Sequence, residues 1–271
     1  MNLKLIFLLL TLTTFVACAQ NDEEFIWPNG AKAAICLTYD DGLSSHVNTV
    51  GPILKKYNFK ASFYPTLNSS SLSEETEKWR NLVQEGNELG NHMAYHPCQK
   101  SLEPWVENFY DLDTYTKKQL ENEIQLSNNF LSALGVEKSR TFAYPCAHEF
   151  AGGESYKPYI SENFSAARSS SEEQVELVEP SSVDLYSVIS WAPNNSTSKD
   201  LIEYIDTIIE KETLSTLTFH GIGAEHMRVS KKDHEELLEY LNSNRDKIWV
   251  ATFKEATDHL IKMRTKITKS R

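Results

Sequence analysis

Along this chain, short unbroken apolar runs alternate with stretches in which apolar residues recur three and four positions apart. The first pattern reads as buried strands and the second as helices with one face against a core. An apolar run over residues 33–37 leads into Thr38-Tyr39-Asp40-Asp41-Gly42, where the glycine ends the strand and turns the chain. Helical spacing follows over residues 46–57, at Val47, Val50, Ile53 and Leu54. Residues 60–66 read as a second strand. Ser73 starts a helix with Trp79, Leu82 and Val83 on one face, and Gly86 stops it. Residues 88–92 form a short third strand. Beyond an irregular stretch at 97–111, a long amphipathic helix spans 112–134 and ends at Gly135. Further strands are predicted at 141–145, 164–168, 185–191, 214–220 and 248–253, with helices at 156–163, 199–211, 230–241 and 254–263.

This alternation predicts an α/β fold with a parallel sheet and helices outside it. A barrel and an open doubly wound sheet fit the pattern equally. The 271 residues suit one large domain, and 40% apolar residues suffice for a sizeable core. The formal net charge of −11 argues against nucleic acid or an anionic membrane as partner.

The N-terminus reads as an export signal: Lys4, then an uncharged apolar run from Leu5 to Phe15, too short for a comfortable membrane span. Ala17-Cys18-Ala19 fits signal-peptidase cleavage after residue 19, while Val16-Ala17-Cys18 resembles a lipobox with a lipid on Cys18. The expected location is therefore the periplasm or cell envelope, or outside the cell, with membrane contact only through that anchor. Residues 20–30 read as a tether, 31–265 as the folded domain and 266–271 as a basic tail. In an oxidising compartment Cys98 and Cys146, each following a proline at a strand exit, make a candidate disulfide; two unpaired thiols are the alternative. Cys36 reads as a buried apolar residue.

The candidate chemistry lies at strand ends. Two adjacent carboxylates, Asp40 and Asp41, are costly to bury without a cation. His92 and His96 carry the spacing that puts two imidazoles on one face of a helical turn. One carboxylate with two histidines and room for water is a candidate open zinc site, leaving the second carboxylate as a base. Trp105, Phe109 and Tyr110 in the irregular stretch are read equally as a stacking surface for sugar rings or as packing for their own loop. His148 and His226 read as solvated surface residues rather than cleft residues.

These residues resemble the polysaccharide deacetylases with the NodB homology domain, carbohydrate esterase family 4, over residues 30–265. Thr38 to Gly42 is similar to the first motif of that family, with Tyr39 where phenylalanine is usual. His92 and His96 match the second, and Leu217-Thr218-Phe219-His220 the last. The resemblance implies a distorted (β/α) barrel of about seven parallel strands. It implies Asp41, His92 and His96 as metal ligands, for zinc or another divalent ion such as cobalt or nickel. Asp40 is then the general base, His220 the general acid, and the backbone at Tyr144-Pro145-Cys146 the oxyanion site. Two motifs depart. Ala143 stands where the family has an arginine that supports the base; Arg140 and Arg168 are the candidates to replace it, and the sequence leaves open whether either does. Ser190 replaces the aspartate that orients the acid histidine, while Trp191 remains, either as a wall for the acetyl group or as core packing. The expected activity is removal of acetyl groups, as N-acetyl amides or O-acetyl esters, from an acetylated glycan. A glycan-binding protein with an impaired site is the alternative. The sequence leaves the glycan and the oligomeric state open.

Overall fold

The structure, a computed structural model, describes residues 25 and 27–270; the export signal and Cys18 lie outside the described residues. The strands are β1 (Ala33–Asp41), β2 (Ser62–Pro65), β3 (Glu88–Leu89), β4 (Phe142–Ala143), a small hairpin of β5 (Phe150–Ala151) and β6 (Glu154–Ser155), β7 (Ala167–Ser171), β8 (Val188–Trp191), β9 (Leu214–Phe219) and β10 (Ile248–Ala251). The α-helices are α1 (Gly51–Tyr57), α2 (Ser70–Glu74), α3 (Thr76–Gln84), α4 (Lys117–Ala133), α5 (Lys157–Asn163), α6 (Ser198–Glu210), α7 (Lys231–Ser243) and α8 (Phe253–Ser270).

The parallel sheet runs β3-β2-β1-β9-β8-β7-β4, with β10 paired to the first half of β1. Its two ends meet. The Asn91 N–H donates to the Thr141 carbonyl at 3.0 Å, and the Ala143 N–H to the Asn91 carbonyl at 2.9 Å. Seven parallel strands thus curl into a distorted barrel rather than an open sheet.

Strand alternation explains what fills it. On β1, Ala33, Ile35, Leu37 and Tyr39 face the surrounding helices and join the larger core with Leu217, Phe219, Leu237 and Leu241. Ala34 and Cys36 face inward and pack with Tyr64, Ala143 and Phe253, while Trp27 and Leu260 belong to the same cluster. Farther along the inward faces the residues turn polar: Thr38, Asp40, Arg168, Ser190 and Thr218 are all buried. The barrel is therefore apolar at one end and hydrogen-bonded at the end where the strands finish, the end that carries chemistry in barrel enzymes.

Several boundaries differ from the predicted ones. Helix α4 starts at Lys117, not at 112, because Thr116 caps it reciprocally with Gln119. Strand β7 covers Ala167–Ser171 instead of 164–168. Its Ala-Arg-Ser-Ser-Ser sequence lacks the apolar signal that marks the other strands.

Candidate active site

Asp40 ends the inward face of β1, and Asp41 follows in a left-handed conformation with φ of 73°. Gly42 continues that turn at φ of 71°, where a Cβ would lie 2.9 Å from the Cβ of Pro65. Only glycine lets the chain leave β1 this sharply.

His92 and His96 do not share a helical turn, contrary to the spacing argument. They sit in an irregular segment beyond β3, with Met93 at φ of 61° and His96 at 53°. The segment nevertheless delivers both rings, 4.8 Å apart, to Asp41. Asp41 Oδ1 lies 3.6 Å from His92 Nε2 and 3.5 Å from His96 Nε2. His92 Nδ1 lies 2.8 Å from the Ala143 carbonyl, which fixes Nδ1 as the donor and leaves the Nε2 lone pair facing the cleft. Asp41 Oδ1 and His92 Nε2 are both buried and have no hydrogen-bond partner in the protein. Facing acceptors without a donor are what a cation site requires, and one carboxylate oxygen with two imidazole nitrogens suits zinc.

Asp40 is held differently. Arg168, on β7, donates from Nη2 to Asp40 Oδ1 and from Nη1 to Thr218 Oγ1 at 2.8 Å, with its guanidinium over the Tyr64 ring at 4.6 Å. Burial alone would raise the Asp40 carboxyl. The adjoining Arg168 guanidinium, with His92, overrides this and holds it below the ordinary carboxylate range. The guanidinium against Asp40 thus comes from β7, where Arg168 is the register partner of Ala143. Arg140 is not involved: its guanidinium bonds Ser132 and the Val136 carbonyl.

His220 follows β9, and its Nε2 is 4.0 Å from Asp41 Oδ2. His46 Nε2 bonds its carbonyl at 2.9 Å. Burial holds the His220 imidazole below its usual value, and its Nδ1 has no partner. Ser190 does not replace the absent aspartate; its hydroxyl bonds the Ser169 carbonyl and Thr218.

Sequence reasoning misplaced His226. Although its side chain is 55% exposed, its Nε2 lies 2.8 Å from Asp41 Oδ2. It comes from the loop after β9, which folds back through the Gly221 N–H to the His226 carbonyl. No spacing rule announces it; its position in the loop that follows β9 and His220 was the available signal. His148 stays out of the cleft, accepting the Gln99 N–H on Nδ1 at 2.9 Å.

The cleft has a volume of about 810 Å³; Asp40, Asp41, His92, His96, His220 and His226 line its floor. Tyr144 and Cys146 line one wall, with Cys146 in a left-handed turn at φ of 52°. Pro145 lies buried behind them. Trp191 is not a wall of the cleft. Alternation along β8 sends Ser190 inward and Trp191 outward, edge-on to Tyr204 of α6 at 4.8 Å. Beside Tyr144 and Cys146, the 97–111 loop is anchored by the Cys98–Cys146 disulfide and by Asp111, which accepts the Lys100 and Asp113 N–H groups. Closing 48 residues of chain contributes about 4 kcal/mol in the chain-entropy account. The loop aromatics divide between packing and the cleft. Tyr95 and Tyr110 pack together at 5.7 Å, while Trp105 lines the cleft with 67% of its surface exposed.

Comparisons with known proteins agree with this picture. Residues 28–150 match the family model described as polysaccharide deacetylase. A curated gellan lyase from a Bacillus species is 28% identical over 123 residues, which are 45% of this chain but 4% of that protein. A solved polysaccharide deacetylase from Mycobacterium smegmatis superposes with a TM-score of 0.62 at 15% identity, over 88% of this chain and 93% of that one. A variant of the peptidoglycan deacetylase PdaC from Bacillus subtilis gives 0.54 at 17% identity, over 88% and 96%. A chain described as a pseudoenzyme of carbohydrate esterase family 4 gives 0.52 at 16%, over 85% and 69%. The family match over residues 28–150 and the curled parallel barrel make this chain similar to the polysaccharide deacetylases, with the NodB-type fold.

Proposed function

We propose that the domain hydrolyses acetyl groups from an acetylated glycan with the help of a divalent metal, zinc in the first instance. The observation that carries this reading is the division of labour between the two aspartates. Asp41 faces two histidines with an unpartnered oxygen, while Asp40, one residue away, is locked to an arginine and kept ionised. Asp41, His92 and His96 would hold the cation, which when bound would polarise the acetyl carbonyl and acidify water.

The chain's own residues then divide the proton work. Asp40 takes the proton from the attacking water, with Arg168 keeping its carboxylate ionised and fixed in place. The tetrahedral oxyanion lies toward the turn at Cys146, whose backbone N–H would donate to it. His220 gives a proton to the leaving amine or alcohol. An imidazole held below its usual value donates readily once protonated, and its protonated fraction falls as pH rises. The Cys98–Cys146 disulfide supports the expected export to an oxidising compartment.

A second reading, a glycan-binding protein with an impaired site, draws on the unpartnered His220 Nδ1 and on Ser190 in place of aspartate. Acetate release by the zinc-loaded protein, from acetylated xylan and from N-acetylglucosamine oligomers, with and without chelator, decides between them. Chelator-sensitive release from either supports the hydrolase, and from only one it names the bond. Glycan binding with no release from any acetylated glycan supports the second reading.

Two variants extend the test. His92→Ala loses a ligand and should lower zinc affinity by more than the roughly 10–100-fold that follows loss of an outer-shell partner. Competition with a chromophoric chelator measures it, and unchanged affinity would remove His92 from the ligand set. Trp105→Ala should raise KM for a glycan by about 3- to 10-fold with little change in kcat, since a stacked aromatic contact contributes about 0.5–1.5 kcal/mol. An unaltered KM would assign Trp105 to the loop alone.

A further inference from the structure

Asp41 belongs to two clusters of metal-competent donors, one on each carboxylate oxygen. Oδ1 faces His92 and His96. Oδ2 faces His226 Nε2 at 2.8 Å and His220 Nε2 at 4.0 Å, and these three donor atoms lie within 4.8 Å of one another. Ligands around a tetrahedral zinc are separated by about 3.3 Å, given zinc–ligand distances near 2.0–2.2 Å. In the second cluster 2.8 and 4.0 Å lie on either side of that spacing, the shorter being a hydrogen bond that a cation would replace, while the 3.5 and 3.6 Å of the first lie just above it. The site has an entry path, since His226 is half exposed on the cleft floor. It also has a favourable field. The cleft is lined by Asp40, Asp41, Glu103, Glu107 and Glu172, with no lysine or arginine among its described lining residues. Arg168 lies buried beneath, with its charge answered by Asp40.

We propose that Asp41 bridges two divalent-cation sites, the second formed by its Oδ2 with His220 Nε2 and His226 Nε2. The second site is the weaker. It is more exposed than the first, and a cation already on Oδ1 repels a second one. Filling it occupies the Nε2 through which His220 would donate its proton, so excess zinc shuts off the reaction that a first equivalent supports. That consequence rests on the proposed hydrolase reading; the second site itself does not.

The test is metal stoichiometry of the chelator-stripped protein, by equilibrium dialysis against rising zinc with elemental analysis. The expected result is two equivalents, the second about 100-fold weaker. His226→Ala should lose the second equivalent, while the first remains and weakens by no more than the roughly 10–100-fold that follows loss of an outer-shell partner. Binding of a single equivalent up to about 1 mM free zinc would overturn the proposal, as that is far above the range of a built three-ligand site. So would a His226→Ala protein that still binds two. If His226→Ala weakens the first equivalent and leaves the number bound unchanged, His226 supports Asp41 by hydrogen bonding alone and the second site is not built on it. Acetate release, followed in parallel, should rise with the first equivalent and fall with the second, and the fall should vanish in His226→Ala. Absence of release at every zinc level would reject the hydrolase reading, while the stoichiometry would still decide the second site.

Discussion

Asp40→Asn should reduce acetate release by about 10²- to 10⁴-fold, the usual contribution of a positioned general base, while zinc content stays near that of the wild type. The separation follows from geometry. Asp40 Oδ2 is 3.7 Å from His92 Nε2, but its other oxygen is committed to Arg168, whereas Asp41 Oδ1 faces both histidines. Asparagine keeps an acceptor for Arg168 and loses both the negative charge and the ability to take a proton. Arg168 then lies buried without its counter-charge, so the variant should also melt at a lower temperature, and its fold must be verified by circular dichroism before rates are compared. Near-normal release with zinc bound would transfer the base to another group. Loss of zinc together with activity would place Asp40 among the ligands.

How much of this site the sequence announces depends on what each residue's neighbours do. Asp40, Asp41, His92, His96 and His220 stand just beyond apolar runs, where a parallel α/β fold must place its chemistry, and short motifs mark them. The fold class follows from the same alternation, but closure of the sheet into a barrel rests on two backbone bonds at Asn91, which no periodicity encodes. Arg168 was legible only as one of two alternatives. It lies in a strand without apolar alternation, so its register, and with it the pairing of residue 168 with residue 143, could not be read from the chain. His226 reaches Asp41 through a loop fold-back, and the histidine segment is irregular rather than helical because Met93 and His96 adopt positive φ. Trp191 takes the core-packing alternative. A strand end was predicted, but not which of its two faces turns inward.

Arg168→Ala should destabilise the protein by about 3–5 kcal/mol, because removing one partner of a buried pair leaves the other charge uncompensated. In a domain of this size that lowers the melting temperature by about 10 °C. The sign of the pH effect follows from the depressed Asp40 carboxyl. In the wild type its contribution is fully present above the unfolded carboxyl value, about 3.9, and is lost as pH falls through the lower folded value. Without Arg168 burial dominates and the Asp40 carboxyl rises, so the acid limb of the rate profile should move to higher pH and the stability difference from wild type should shrink as the medium is acidified. Arg168→Lys should recover only part of both losses, since a point charge cannot bond Asp40 and Thr218 together while lying over Tyr64. The sharper variant is an exchange. Ala143 is the register partner of Arg168 and faces the same interior, so Ala143→Arg combined with Arg168→Ala returns the guanidinium to the usual family position at nearly constant volume. If a cation against Asp40 is what matters, the exchange should regain much of the stability and return the acid limb toward lower pH. If it does no better than Arg168→Ala alone, the contacts to Thr218 and Tyr64 matter as much as the charge, and the arginine works only from β7.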